Sequence, residues 1–446
     1  MQNIFFHSVS TGLLPVVGRM LVVALPIFIP VILVIVWWIL RFRWLTLRFV
    51  SEQKPCLLEI KLPKEIVKSP AGMEIFFSYL AQSGAGNWGE AFIDGKTRPW
   101  FSCELVSTGG TVHFYVWMSQ AKFKTIIEAQ LYAQYPSIEI HEVEPKDDYV
   151  NGIHFDMDKY ALSGVQYTFT KKDPYPIKSY IDYELNEDSK EEYKIDPLSS
   201  VLEFLGSLKP GENVWTQIMI RRHDSESWKH GVIHLEADEK KDGFVKKQWH
   251  NLFGKARKYK DEIKEEIEKV RQEAIPKSDD KETFKFPNPT KGQNEIIAAL
   301  ERHAAKTAFD CMIRSVYVAE KAASVPVNIG GMIGSMRQYG SNYLNGFKPG
   351  FTTDVSDTRK DMARIFPFVK KENEKRIFNF KKNIFHAYKL RSFFEWPYKY
   401  WKSKPFIMTT EELATIFHFP SNVVSQTPTL KRVGSKKSEA PANLPV

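Results

Sequence analysis

The sequence predicts an α+β protein: one N-terminal transmembrane helix, then two ferredoxin-like α/β units, the second interrupted by a helical insertion. Three observations carry that expectation. Residues 20–40 run without Lys, Arg, Asp or Glu. Residues 56–145 switch between the period of a strand and that of a helix. Residues 160–345 repeat the order of periods without repeating the residues. The 446 residues suffice for two or three domains, and 43% hydrophobic residues exclude a globally disordered chain. Cys56, Cys103 and Cys311 are too few and too scattered for a disulfide framework or a zinc cluster, and read as buried apolar side chains in a reducing compartment.

Taken in order, residues 1–19 are a short non-cytoplasmic N-terminus and 20–40 the membrane helix. As a helix that run spans roughly 31 Å, the thickness of a hydrocarbon core. It ends in Trp37-Trp38-Ile39-Leu40-Arg41 rather than in the small residues of a cleavage site, so it reads as an uncleaved anchor, kinked at Pro26 and Pro30. Arg19 precedes the span while Arg41, Arg43, Arg48 and Lys54 follow it. That bias predicts a single pass through the inner (cytoplasmic) membrane with the C-terminal bulk in the cytoplasm. A buried core helix is the plainer alternative. Residues 41–55 are then a basic juxtamembrane linker.

Unit 1 covers 56–145. Leu58, Ile60 and Leu62 alternate as a strand, and Met73, Phe76, Phe77 and Leu80 follow helical spacing. Phe101, Cys103 and Leu105, a Thr108-Gly109-Gly110 turn and Val112 to Trp117 make a hairpin. A helix over 122–134 and a strand over 139–143 complete the order, with a small extra strand near Phe92. This order is close to a ferredoxin-like split βαβ sheet. Unit 2, residues 160–345, has strand patterns at Val165 to Phe169, Val214 to Arg221 and Phe309 to Val318. Helical faces stand at Leu198 to Leu205 and Ile329 to Met336. The helical insertion, 245–306, opens with a long amphipathic helix from Val245 to Glu273, which docks on its own domain or forms a coiled-coil arm. Residues 274–292, with three prolines, read as a hinge.

Several motifs fail. The G-x-G-x-x-G at Gly84, Gly86 and Gly89 runs from helix into strand, the reverse of a dinucleotide site. Gly95-Lys96-Thr97 has Glu90 where a phosphate-binding loop needs its first glycine. His230 with His234, and Asp156 with Asp158, do not gather metal-site ligands, and His141-Glu142 lacks the second histidine of a zincin. With no nucleophile elbow either, no cofactor or catalytic residue is expected. An enzyme whose site is assembled from distant residues stays open as the rival reading.

The net charge of +9 is concentrated in one place. Residues 359–404 hold fourteen Lys and Arg against four Asp and Glu. Within this basic and aromatic segment, 346–404, Lys370, Lys371, Lys381, Lys382, Trp396 and Trp401 are candidate contacts to lipid or nucleic acid, together with Arg41 and Arg43. An ordinary solvated face is the alternative. The remainder, 405–446, predicts a short helix and an extended tail. Thr409 and Glu412 form a capping box, and Leu413, Ile416 and Phe417 make an apolar stripe ended by Pro420. Such a stripe packs on its own domain or docks a partner through Glu412, Leu413, Ile416, Phe417 and Pro420.

Two stretches are more specific. Glu128 to Pro136 (EAQLYAQYP) and Thr410 to Pro420 (TEELATIFHFP) resemble segments upstream of the motor in membrane-anchored HerA/FtsK-like ATPases of conjugative transfer and type IV secretion. The ending from Pro428 to Pro445 resembles their passage into the P-loop domain. The resemblance implies an N-terminal accessory region without the motor: a membrane-anchored, non-catalytic scaffold that positions a separate P-loop ATPase subunit, with homo-oligomers and nucleic acid as further partners.

Overall fold

A computed structural model describes residues 14–63, 69–81, 90, 93–185, 196–223, 259–274, 288–354 and 357–420. The chain divides into two compact bodies, 1–53 with 85–97, and 54–84 with 98–446.

The first body is built on α1, Leu14–Glu52, with Pro26 and Pro30 inside it. Large apolar side chains from Phe28 to Leu40 are exposed, and the stretch Phe28–Glu52 is long and apolar enough to cross a membrane. A signal sequence passes the same test. Arg41 lies 5.6 Å from the centre of the Trp37 ring and Arg48 5.6 Å from that of Trp44. Gly95, at φ +67°, approaches the Leu45 backbone so closely that a Cβ would stand 2.4 Å from its carbonyl carbon, so only glycine fits. After Gly95-Lys96-Thr97 the chain leads into the strand that begins at Phe101 rather than into the helix a phosphate-binding loop requires.

The second body is a mixed helix and sheet structure around one large antiparallel sheet. Its first elements are β1 (Cys56–Lys61), α2 (Ala71–Leu80), β2 (Phe101–Thr108), β3 (Thr111–Met118), α3 (Lys124–Gln134), β4 (Glu139–Val143) and β5 (Tyr160–Phe169). Then come α4 (Pro197–Gly206), β6 (Glu212–Arg222), α5 (Tyr259–Glu273), α6 (Lys291–Ala305), β7 (Ala308–Glu320) and α7 (Val327–Gly334). The chain continues with β8 (Phe347–Thr352), α8 (Asp357–Ile365), α9 (Pro367–Lys389), β9 (Phe406–Thr409) and α10 (Thr410–Ile416). The strand order is β4-β1-β3-β2-β6-β7-β5-β8, with β9 paired to β7. Both sequence-predicted units therefore share one sheet, joined along β2 and β6 from Phe101 opposite Ile220 to Thr108 opposite Asn213.

One face carries the main core. Leu58, Ile60, Cys103, Phe114, Val116, Ile218, Cys311 and Ile313 point to helices that bury Met73, Phe76, Phe77, Leu131, Leu202 and Met332 against them. Gly110, at φ +85°, turns β2 into β3 where a Cβ would strike the Leu208 carbonyl. The sheet's outer strands are poor templates for further pairing. β4 presents Glu139, His141 and Glu142, and β8 contains Pro349, which has no N–H to give.

Two expectations change, and one open alternative closes. The cut at 345 separates β8 from its sheet, because β8 belongs to the segment assigned as basic and aromatic. That segment also contains two helices where only composition had been read. The insertion contributes α5 and α6, whose apolar faces pack together through Tyr259, Ile263, Ile267, Val270, Ile297 and Leu300, so the visible part of the predicted long helix docks within its own body. The sequence near Phe92, the glycines at 84, 86 and 89, His230, His234, the helix N-terminal to Tyr259 and the tail from 421 lie outside the described residues.

Candidate functional site

The second face of the sheet is unusual because its centre is polar and yet covered. Alternation places Glu59, Tyr115, Glu104, Gln217, Arg314 and Gln166 on that face, and the registers of β1, β3, β2, β6, β7 and β5 set them in one row. Glu104, Gln217, Arg314 and Gln166 are fully buried. The C-terminal half of α9 and the turn after it lie over the row, with Trp215 stacked on Phe385 at 6.2 Å and tilted against Tyr388 at 5.6 Å.

Burial forces the polar atoms to find protein partners. Arg391 donates from Nε and Nη2 to the two Glu104 oxygens at 2.8 and 3.0 Å, and from Nη1 and Nη2 to Asp148 at 2.6 and 3.1 Å. Gln217 donates to Glu104 at 2.9 Å and accepts from Arg314 Nε at 2.8 Å. Arg314 also donates to the Ala387 and Ser392 carbonyls at 2.7 and 3.3 Å, at the end of α9. Tyr149 donates to Glu104 at 2.8 Å, and its hydroxyl stands 2.9 Å from that of Tyr388. Burial lowers Arg314 to about 9, whereas for Arg391 burial is outweighed by Glu104, Tyr149 and Asp148, which push it well above its ordinary value. Two acids and two guanidiniums thus neutralise each other inside the fold. Gln166 is the exception: neither amide atom finds a partner among the described residues.

This row is the root of an arm. α9 leaves the sheet surface towards its own N-terminus, and α8 folds back on it. Asn373, buried between them, accepts from Arg359 Nε at 2.8 Å and donates to the Arg359 carbonyl at 3.1 Å. The helices meet at an elbow, Ile365-Phe366-Pro367-Phe368, with Pro367 in the first turn of α9. Ile365 and Phe368 are 71% and 70% exposed.

Of the sequence-predicted contacts, Arg41 and Arg43 are exposed on α1, while Lys370, Lys371 and Lys382 are exposed on α9. Lys381 is half-buried and lowered by that burial. Trp396 is partly exposed, and Trp401 packs edge-on against Phe351 at 5.2 Å. Lys381 and Trp401 therefore belong to the packing of the arm's root, not to its free surface. The elbow escaped sequence reading; its signal was Pro367 flanked by Phe366 and Phe368 ahead of a basic run.

The proposed docking stripe is corrected outright. Glu412, Leu413, Ile416, Phe417 and Pro420 are all buried. Phe114 meets Phe417 and Phe419 at 5.9 and 5.6 Å, and Glu412 accepts from the Ile177 and Thr409 N–H groups at 2.9 and 2.8 Å. The capping box forms as expected, but its helix fills this chain's own core. His418 adds a 3.1 Å contact to buried Asp196. Beside Glu412, His303 Nδ1 is 3.6 Å away, and burial lowers His303 to about 3 and raises Glu412 to about 8.

Among the described residues no three His, Cys, Asp or Glu are placed to hold a metal ion. Asp156 accepts instead from the Asp158 N–H at 2.8 Å, as a turn cap. No curated protein matches the chain. Residues 87–432 match a family described as a domain of unknown function, DUF8128. That match takes in β2 through α10, the arm and all of the polar row except Glu59, and by it the chain belongs to the DUF8128 family.

Proposed function

We propose that this protein is a membrane-anchored, non-catalytic accessory protein. In this reading it positions a separately encoded HerA/FtsK-like ATPase in conjugative DNA transfer or type IV secretion. α1 holds it in the inner membrane in a single pass, with the bulk of the chain in the cytoplasm. The observation that carries the reading is α1 itself, a helix with an apolar stretch long enough to cross a bilayer and a basic flank at Arg41, Arg43 and Arg48. Tethering raises the motor's effective concentration at the membrane. The two halves of the sheet are ferredoxin-like units in this proposal. Its support is the strand order, in which β4-β1-β3-β2 and its mirror β6-β7-β5-β8 each place the first and third strands of a quartet at its centre.

The test is to express the chain with the P-loop ATPase encoded beside it and to measure where ATPase activity sediments. Activity should follow the membrane fraction when the chain is present and leave it when α1 is deleted. ATP hydrolysis by the purified chain alone, or motor activity that sediments regardless of the chain, overturns the proposal.

A further inference from the structure

We propose that the elbow between α8 and α9 docks on an anionic phospholipid surface, as a second membrane contact independent of α1. This rests on the anchor reading above only for the presence of a bilayer, and it goes beyond that reading by assigning a lipid-binding site to the DUF8128 region.

The chemistry of the elbow is two-part. Its tip is apolar: Ile365 and Phe368 are the most exposed of a group that includes Met362 and Phe366, with the two phenyl rings 5.7 Å apart. Behind the tip, Phe368, Lys371, Lys375, Phe378 and Lys382 recur at intervals of three and four, which sets them on one face of α9. Neighbouring cations are paired, Arg359 and Arg376 with Glu372 and Arg364 with Asp361. Lys370, Lys371, Lys375 and Lys382 have no acid within ion-pair distance among the described residues. Unpaired among the described residues, these four cations present their charge to an outside anion.

A nucleic acid would neutralise the lysines but leave Ile365 and Met362 in water. An anionic bilayer satisfies both parts at once, with ammonium groups among the headgroup phosphates and the apolar tip at the acyl boundary. The root of the arm supports this role. Arg314 and Gln217 grip the carbonyls at the end of α9, and Asn373 locks α8 to it, so the tip is held in shape before it meets lipid.

The experiment uses the full chain in proteoliposomes with a nitrobenzoxadiazole probe on Phe368→Cys, and an acyl-chain quencher in the lipid. The native cysteines are buried, so the introduced thiol takes the label. Trp37→Cys reports on α1, and Tyr343→Cys serves as an exposed control. With phosphatidylglycerol in the vesicles, emission at 368 should fall about threefold, and Lys370→Glu with Lys371→Glu should abolish the change. Position 343 should not respond, and pure phosphatidylcholine should give little effect. Quenching at 37 without quenching at 368 overturns the elbow proposal and leaves the anchor standing. Quenching at 368 without quenching at 37 supports the elbow and removes the anchor. An emission change at 368 that needs only duplex DNA, with no response to anionic vesicles, overturns the lipid assignment in favour of nucleic acid.

Discussion

Arg391 holds a φ of +46°, a backbone region that costs a non-glycine residue about 1–3 kcal/mol. It stays there because that turn aims its guanidinium at Glu104 and Asp148 together. Arg391→Ala leaves buried Glu104 and partly buried Asp148 without their shared counter-charge and should cost about 3–5 kcal/mol, measured by urea unfolding of the full chain in detergent. Arg391→Gly loses the same ion pairs but relieves the backbone, so it should be the milder of the two. Glu412 makes a different prediction. Burial raises its folded pKa to about 8, so the fold favours the protonated carboxyl. The resulting stabilisation is fully present below the ordinary carboxyl range, near pH 4, and is lost as pH rises through about 8. Unfolding free energy should therefore fall by up to about 1.4 kcal/mol per pH unit across that window, and Glu412→Gln should flatten the slope. An unchanged slope in Glu412→Gln would remove Glu412 as its source. Neither role was legible beforehand. Glu104, Gln217 and Arg314 alternate with apolar neighbours, which in sequence is the mark of a strand face turned to water; only the arm lying over it makes that face dry.

The same ambiguity governs whole elements. Met73, Phe76, Phe77 and Leu80 were legible as a helix face because local spacing is enough to define one, and all four are buried. The stripe of α10 obeys the same local rule, yet the rule does not say which surface covers it. Here the cover is α2 and α4 of the same chain, so Leu413→Ala should behave as a core truncation and cost about 2–5 kcal/mol in the unfolding measurement, rather than weaken partner binding while leaving the fold intact. β8 was missed for the opposite reason: Lys348-Pro349-Gly350 reads as a break, and a strand survives it only at a sheet edge, where the missing N–H has no partner to lose. α9 was missed because Lys and Phe mix on its outer face and blur the helical period. Where α9 crosses the sheet, a Cβ on Gly164 would stand 2.7 Å from Ile384 Cδ1. Gly164→Val should therefore lift the arm's root and destabilise the chain by about 1–3 kcal/mol, with thermal unfolding as the readout.

At the scale of the molecule, α1 predicts that the full chain stays in the membrane pellet through alkaline carbonate extraction, and that removing residues 14–52 sends it to the supernatant. The long apolar helix was the most legible part of the sequence, since an uncharged run needs no tertiary information to recognise. The single sheet was the least, because the β2–β6 seam joins residues about a hundred positions apart and leaves no local signal. One further result of this arrangement concerns the order in which a ribosome delivers the chain. α1 emerges before the sheet, while β9 and the rings of Phe417 and Phe419, which close the core over Phe114 and Tyr135, emerge after all eight other strands. The sheet therefore waits, incompletely folded, until residues 406–420 have been made, and products cut short before residue 420 are natural substrates for quality-control proteases.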